Sequence, residues 1–156
     1  SRKLAVLFCF FLAWALPAAA QEALRLQVTD GNGDRVTLGF DELDALPQSE
    51  FTTSTIWTDG KVRFSGVPLK ALLDSVEATG STIEMVALND YLVTMPYDAL
   101  EEEVPLVATR MNGEHMSVRD KGPFWVVYPY DSHWKYRTET KYAQSIWQLN
   151  RLNVVD

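Results

Sequence analysis

The sequence predicts an α+β domain in which many short strands outnumber the helices. Three observations support this fold class: two pairs of strand-like segments joined by glycine-containing turns, one segment with a clear helical period, and a series of short β-rich runs in the second half of the chain. No internal repeat, linker or low-complexity stretch separates these segments. We therefore expect them to form one domain.

The first strand pair lies near the start of this domain. Residues 24–28 and 36–38 alternate apolar and polar side chains, and the sequence Asp-Gly-Asn-Gly at residues 30–33 supplies turn residues that tolerate a positive φ. Asp59-Gly60 marks a second turn between two runs that are rich in β-branched and aromatic residues. These two runs cover residues 51–57 and 62–64.

The clearest helical period begins at Pro68, because proline suits the first position of a helix. Apolar residues follow at helical spacing until Gly80, which we expect to end the helix. A shorter helix is predicted over residues 40–46, before Pro47, and another over the acidic segment 97–103. The remaining β-rich runs predict strands at residues 83–88, 91–95, 106–111, 124–128 and 146–154.

The N-terminal residues have the features of a secretory signal peptide. Arg2 and Lys3 are basic, residues 4–16 form an uninterrupted apolar run, and an Ala-x-Ala pattern precedes Gln21. The apolar run is shorter than the roughly 20 residues of a membrane-spanning helix. We predict a signal peptide over residues 1–20, export to a bacterial periplasm, and a single mature domain over residues 21–156 that does not itself span the membrane.

Cysteine content and charge exclude several classes of function. Cys9 is the only cysteine, and it lies in the segment expected to be removed. The mature domain would therefore offer no thiol for a disulfide, a nucleophile or a thiolate-bound metal. The formal net charge is −7, and loss of Arg2 and Lys3 makes it more negative. Because nucleic-acid binding needs clustered cationic side chains, we expect no nucleic-acid partner.

No metal site is predicted. His115 and His133 lie 18 positions apart, without the close ligand pair of most zinc sites. Solvated or locally hydrogen-bonded histidines are therefore favoured over a metal centre. The acidic run at residues 101–103 has no Asx-rich loop beside it, which favours a solvated helix face over a cation site.

An aromatic segment in the last third of the chain is the strongest indication of a binding site. Residues 124–147 hold eight of the 18 aromatic residues, interleaved with charged side chains. The alternating aromatics of residues 124–128 are expected in the core, as part of a strand. Residues 130–137 show no regular period, so we expect a loop whose aromatic side chains are exposed, which is typical of a recognition site.

Several short motifs occur in an informative order. They are Phe64-Ser-Gly-Val-Pro-Leu-Lys-Ala-Leu-Leu73, Asn89-Asp-Tyr91 with Met95-Pro96, Pro105-Leu-Val-Ala108 with Met111-Asn-Gly-Glu114, Lys121-Gly-Pro123 before Val126-Val-Tyr-Pro129, and Ile146-Trp-Gln-Leu149. Over about residues 50–155, this order resembles the molybdopterin-binding domain of the sulfite-oxidase-like family. The resemblance implies a mixed α+β fold around a β-barrel-like sheet system, with a pterin cofactor in a cleft between loops.

The resemblance also bears on activity. In enzymes of that family, a cysteine upstream of the Gly-Val-Pro-Leu motif binds molybdenum. The corresponding stretch here, residues 53–57 (Thr-Ser-Thr-Ile-Trp), has no cysteine, and a neutral hydroxyl cannot replace a soft thiolate. The likeness to small exported members without this cysteine implies a non-catalytic protein that binds a molybdenum-free pterin. It further implies a sensor whose partner is the periplasmic region of an inner-membrane enzyme that controls cyclic di-GMP.

Two other classes of function stay open. One is an oxidoreductase that uses the molybdenum cofactor without a thiolate ligand, or an accessory subunit of such an enzyme. The other is an interaction module whose pocket has closed. Fold likeness does not separate the three classes, because function depends on the site rather than on the fold.

Eight residues are predicted to contact the pterin, and none is predicted to be catalytic or to bind a metal. Aromatic rings suit stacking on the flat ring, a carboxylate suits its 2-amino and N3–H groups, and cationic side chains suit its acceptors. The candidates are Trp57 and Tyr130 for stacking, Tyr91 as a residue of the cleft-lining loop, Asp90 and Asp131 as carboxylates, Arg119 and Lys121 as donors, and Lys135 for a phosphate tail.

Five of the eight candidates have an alternative role. Trp57 can be a core tryptophan, and Asp90 can be an ordinary turn residue. Arg119 and Lys121 can belong to the solvated surface. Lys135 has no role in binding if the ligand lacks a phosphate.

Overall fold

The structure, a computed structural model, describes residues 24–156, and the predicted signal peptide lies outside the described residues. The strands are β1 (Leu26–Thr29), β2 (Arg35–Leu38), β3 (Ser49–Ser54), β4 (Lys61–Pro68), β5 (Thr82–Ala87), β6 (Leu92–Pro96), β7 (Leu106–Met111), β8 (Glu114–His115), β9 (Trp125–Val127) and β10 (Leu149–Val155). The α-helices are α1 (Phe40–Asp44), α2 (Leu69–Ser75) and α3 (Glu139–Gln144). Single 3-10 turns occupy Tyr97–Ala99, Tyr130–Ser132 and Trp134–Tyr136.

The first sheet has the strand order β2-β1-β10-β5-β6. β1 runs parallel to β10, with Val28 opposite Leu152, and the other neighbours are antiparallel. The alternation in β1 places Leu26 and Val28 in the core, because successive side chains of a strand point to opposite faces. The last strand of the chain therefore connects the N-terminal hairpin to β5 and β6.

The second sheet has the order β3-β4-β7-β8, and β9 pairs with the other part of β7. The predicted mixed α+β fold with a few short helices is confirmed, and within residues 24–156 its two sheets do not close into a barrel. The register of β4 against β7 shifts between Ser65 and Gly66, and this irregularity bends the sheet.

The second sheet is covered on both faces. Val126 of β9 packs into the main core, together with Leu69, Leu72 and Leu73 of α2. Trp125 and Val127, its neighbours in β9, face the opposite side of the sheet and pack in a second cluster with Phe64 and Phe51. A third cluster consists of the buried rings of Tyr128, Tyr130 and Tyr136.

The structure confirms both predicted hairpins, the helix that follows Pro68 and the five later strands. α2 ends at Ser75 rather than near Gly80, because Glu77 adopts a φ of 54° that cannot continue a helix. The acidic helix expected over residues 97–103 is a single 3-10 turn at Tyr97–Ala99. The short elements α3 and β8 were not expected from the sequence.

None of the helices in residues 24–156 has the length and apolar character of a membrane-spanning segment.

Candidate functional site

A pocket of about 310 Å³ lies where loops of the two sheets meet the segment between α3 and β10. It is lined by Trp57, Ala87, Asn89, Tyr91, Tyr142, Ala143, Ser145, Ile146, Trp147 and Gln148. Trp57 comes from the β3–β4 loop, and Asn89 and Tyr91 come from the β5–β6 turn. Tyr142 and Ala143 belong to α3 and Ala87 ends β5, so loops, a helix and a strand end form the pocket together.

Trp57 is the centre of an aromatic cluster. Its ring meets Trp125, Tyr130, Tyr142 and Trp147 at centroid distances of 5.9, 6.3, 5.8 and 5.6 Å. All four contacts are edge-to-face, with interplanar angles of 66–83°. Because edge-to-face pairs are favourable arrangements of aromatic rings, the cluster fixes the ring of Trp57 at the pocket wall.

The loop that carries Trp57 is closed by a local hydrogen-bond network. Thr55 Oγ1 accepts from the N–H groups of Trp57 and Thr58, both at 3.0 Å. Thr53 Oγ1 accepts from the N–H of Asp131 at 3.1 Å, and Ser54 Oγ donates to the Asp131 carboxylate at 2.6 Å. Every hydroxyl of residues 53–55 therefore has a protein partner, and Trp57 is positioned by this short turn rather than by a strand.

Residues 53–57 do not fit a molybdenum centre that is bound by a thiolate. The resemblance places residues 53–57 at the family's cysteine position, and the hydroxyls of Thr53, Ser54 and Thr55 are neutral and already hydrogen-bonded. Among residues 24–156, no group of three or more His, Cys, Asp and Glu side chains converges on a point. The pocket offers aromatic faces, amides and hydroxyls, which fit a pterin ring.

The side of the pocket near β10 is held by Gln148, which adopts a φ of 53°. Its side-chain amide donates to Val118 O at 2.6 Å, its N–H donates to Lys121 O at 2.9 Å, and its carbonyl accepts from Leu88 N at 2.9 Å. Three chain segments therefore meet at this residue. A left-handed conformation of a non-glycine residue is uncommon and clusters at functional sites.

Lys121 lies beside the pocket rather than in its lining. Its ammonium is 4.6 Å from the ring centroid of Trp147 and 5.5 Å from that of Trp125. Such cation–π contacts are favourable, and here they place a positive charge on one face of Trp147. Arg119 is exposed and does not line the pocket.

Asp90 is also outside the pocket lining, although its neighbours Asn89 and Tyr91 line it. Asp90 adopts a φ of 67° in the turn, and its carboxylate forms an ion pair with Arg151. The turn therefore directs the amide and the phenol toward the pocket and the carboxylate toward β10.

Tyr130 was expected on an exposed loop, and this expectation is wrong. Its side chain is 2% exposed, its ring stacks on Tyr142 at 5.5 Å, and its hydroxyl is 2.6 Å from Ser145 Oγ. Burial raises the pKa of Tyr130 to about 12, so the hydroxyl stays protonated at neutral pH. The buried ring of Tyr130 packs edge-to-face against Trp57. Of the other aromatics of residues 130–137, Tyr136 is buried and only Trp134 is exposed.

Asp131 links the 3-10 turn Tyr130–Ser132 to the end of β3. Its carboxylate accepts from Ser54 Oγ at 2.6 Å and from Ser54 N at 2.7 Å. These two hydrogen bonds, the side-chain one first, lower the pKa of Asp131 below its ordinary value. The carboxylate is therefore engaged in a structural contact close to the Trp57 loop.

Replacement of Asp131 by alanine is expected to destabilise the fold in a pH-dependent manner. The folded pKa is lowered, so the carboxylate stabilises the fold above its unfolded pKa of about 3.9, and this contribution is lost as the pH falls through the folded pKa. In urea denaturation at pH 7, the wild type should have a higher midpoint than Asp131→Ala. The difference between the two midpoints should become smaller toward pH 3. A difference that is the same at both pH values would contradict this role.

Lys135 is held away from the pocket by Glu101. The Lys135 ammonium donates to Glu101 Oε1 at 3.0 Å, and the Tyr136 hydroxyl donates to Glu101 Oε2 at 3.0 Å. The hydrogen bond to Glu101 raises the pKa of Lys135. Burial acts to raise the pKa of Glu101, but hydrogen bonds from Lys135 and Tyr136 lower it overall.

The two histidines make local contacts. His133 Nδ1 accepts from the N–H of Lys135 at 3.1 Å. His115 packs against Phe40 with ring centroids 4.1 Å apart, beside the ion pair of Arg110 and Asp44.

Of the eight predicted residues, Trp57 and Tyr91 line the pocket, and Lys121 borders it. The other five lie outside the lining, and their contact with a ligand stays a prediction. The sequence reasoning missed Asn89, Tyr142, Trp147 and Gln148 as lining residues. Asn89, Trp147 and Gln148 belong to the family-like motifs. The motifs could therefore have indicated these residues, whereas their side-chain chemistry alone did not.

The two open sheets and the pocket between their loops define a sulfite-oxidase-like molybdopterin-binding domain. The chain belongs to the oxidoreductase molybdopterin-binding domain family, whose sequence profile matches residues 13–151. The fold is similar to that of the sulfane dehydrogenase SoxCD from Paracoccus pantotrophus, with a TM-score of 0.65 and 17% sequence identity. That similarity covers 87% of this chain and 39% of the SoxCD chain. No curated protein matches the sequence.

Proposed function

We propose that this chain binds the ring of a molybdenum-free pterin in the pocket beside Trp57 and acts as a non-catalytic ligand-binding protein. The observation that carries the proposal is an aromatic pocket in a molybdopterin-binding domain, next to a stretch, residues 53–57, that holds hydrogen-bonded hydroxyls and no cysteine. The resemblance places this stretch where the family holds the metal, and it offers no soft thiolate. The features that recognise a flat ring remain.

The arrangement of the aromatic rings supports this choice of ligand. Trp57 and Trp147 meet at an interplanar angle of 70°, so a flat ring that stacks on one of them meets the edge of the other. Tyr91 and Tyr142 add two further rings to the lining. A pocket with several aromatic faces and a few polar groups is typical of small-molecule sites.

The proposed role is that of a periplasmic sensor whose ligand state is detected by an inner-membrane signalling enzyme. Exposed apolar side chains support a contact with a partner: the lining residues Tyr91 and Trp147 are 58% and 38% exposed, and Ile56, which precedes Trp57 in the chain, is 64% exposed. Large exposed apolar groups near one another are typical of interaction sites. Because Tyr91 and Trp147 also line the pocket, a ligand and a partner would share these two residues.

Replacement of Trp147 by alanine is expected to lower the affinity for pterin by about tenfold with a smaller loss of stability than Trp57→Ala, because one stacking face is lost from a partly exposed position that contacts fewer rings. Isothermal titration calorimetry with pterin measures the effect. The matched control is Trp134→Ala, since Trp134 is 69% exposed and does not line the pocket. Equal affinities for the two variants would refute the proposed site.

A second candidate is a molybdopterin-dependent oxidoreductase, or an accessory subunit of one. Membership of the oxidoreductase molybdopterin-binding family and the fold likeness to SoxCD favour it. The two candidates differ in metal retention. Molybdenum that stays with the purified chain during gel filtration, after incubation with the isolated molybdenum cofactor, would support the second candidate and contradict the first.

A further inference from the structure

We propose that the pocket selects a pterin without a phosphate group and recognises its uncharged edge through Asn89 and Gln148. The inference rests on the proposed function and names the ligand class of that same site. None of the ten lining residues is charged. This differs from the carboxylate and cation contacts that the sequence suggested for Asp90, Asp131, Arg119 and Lys121.

The two amides have complementary unused hydrogen-bonding groups. Asn89 Oδ1 accepts from the N–H of Tyr91 at 3.1 Å, so its NH₂ group is the part without a partner among residues 24–156. Gln148 Nε2 donates to Val118 O at 2.6 Å, so its Oε1 is the part without a partner in the same range. The pocket therefore offers an amide donor from one side chain and an amide acceptor from the other.

The donor and the acceptor of this pair are the types that the polar edge of a pterin requires. The ring presents a carbonyl oxygen that can accept from the Asn89 amide, and adjacent N–H groups that can donate to the Gln148 amide. All of these groups are neutral. Asn89 and Gln148 approach from different segments, the β5–β6 turn and the residue before β10. Because a ligand that covers these amides removes their hydrogen bonds to water, a ring with such an edge is favoured over a plain aromatic ring that cannot replace those bonds.

Of the cations near the pocket, Lys121 lies at its border, and Lys135, Arg151 and Arg137 are bound to other groups of the protein. The Lys121 ammonium lies over Trp147, and Lys135 is bound to Glu101 at 3.0 Å. Arg151 pairs with Asp90, and Arg137 donates to Tyr130 O at 2.6 Å. A phosphate inside the pocket would lose its water without gaining a cationic partner from the lining, which is unfavourable.

Neopterin and neopterin monophosphate test the inference because they differ only in the phosphate. Calorimetry should show that neopterin binds at least about tenfold more tightly than its monophosphate. Equal or tighter binding of the monophosphate would overturn the inference and leave pterin binding intact. Failure of both compounds to bind would overturn the inference together with the proposed function.

The variant Asn89→Asp tests the recognition directly. It keeps the oxygen that accepts from Tyr91 N–H and replaces the unpaired NH₂ group by a carboxylate oxygen. We expect neopterin affinity to fall at least about tenfold while the thermal midpoint stays unchanged. The matched control is Asn32→Asp, which makes the same change in the exposed turn between β1 and β2. Full affinity of Asn89→Asp would overturn the role of Asn89.

Discussion

Replacement of Trp57 by alanine is expected to lower both the stability of the fold and its affinity for pterin. The ring has edge-to-face contacts with four aromatic residues, so its removal leaves a cavity beside the second core cluster. A loss of about 3 kcal/mol in the free energy of unfolding is expected, the lower end of the range for tryptophan-to-alanine changes, because Trp57 is only partly buried. The same variant removes a wall of the pocket, so pterin affinity should fall by more than about tenfold.

Urea denaturation and calorimetry on the same preparation measure the two effects. Trp147→Ala provides the comparison, since it should lower affinity with a smaller change in the denaturation midpoint than Trp57→Ala. Trp57→Phe should recover part of the stability, because a smaller aromatic ring retains some of the contacts. A Trp57→Ala variant with wild-type stability would show that the ring is not part of the core, and wild-type affinity would exclude it from the site.

Replacement of Gly66 by alanine is expected to destabilise the fold by about 3 kcal/mol, since overpacking of a well-packed interior costs that much. Gly66 is buried in β4 beside β7, where a Cβ atom would overlap the carbonyl oxygen of Val107 and lie 2.9 Å from Thr109 N. Both obstructing atoms belong to the backbone and cannot rotate away. The β4–β7 pairing that places the Trp57 loop would have to shift.

Gly31→Ala is the matched control for this change. Its Cβ would make an ordinary contact of 3.5 Å with Thr79 O, and its φ is not in the positive region. The control should therefore remain within about 1 kcal/mol of the wild type. Thermal or urea denaturation separates the two variants, and a small effect of Gly66→Ala would contradict the account of close packing between β4 and β7.

The strand and helix predictions succeeded where a strong local signal agreed with the tertiary structure. The glycine-containing turns at residues 30–33 and 59–60 fixed both hairpins. α3 was missed because its six residues lie in an aromatic segment without a clear period, and its start depends on Thr138, whose hydroxyl accepts from Lys141 N at 3.3 Å. Such short helices are determined by capping and by tertiary contacts rather than by periodicity.

The binding site was predictable only in part. Trp57 was identified because it lies where the family carries its metal-binding stretch, and Tyr91 because it lies in a family-like loop. Gln148 was missed because residues 146–154 were taken as one strand, whereas β10 begins at Leu149 and Gln148 has a φ of 53°. A backbone conformation of this kind follows from contacts among distant segments, and the sequence pattern does not contain it.

Charged residues were the least reliable guide. Asp90, Asp131 and Lys135 have the chemistry that a pterin or its phosphate requires, but each is hydrogen-bonded to another part of the protein. The partners Arg151, Ser54 and Glu101 are at least 30 positions away in the chain, so only the fold could reveal these contacts. The uncharged amides of the pocket carry the recognition in our account.

The most direct test of the account is mass spectrometry of the small molecules released from the protein purified from its native host, combined with elemental analysis of the same sample. We predict a stoichiometric pterin without phosphate and no stoichiometric molybdenum. Molybdenum in an amount equal to the protein, or a protein that releases no pterin and binds none when it is added, would contradict the account.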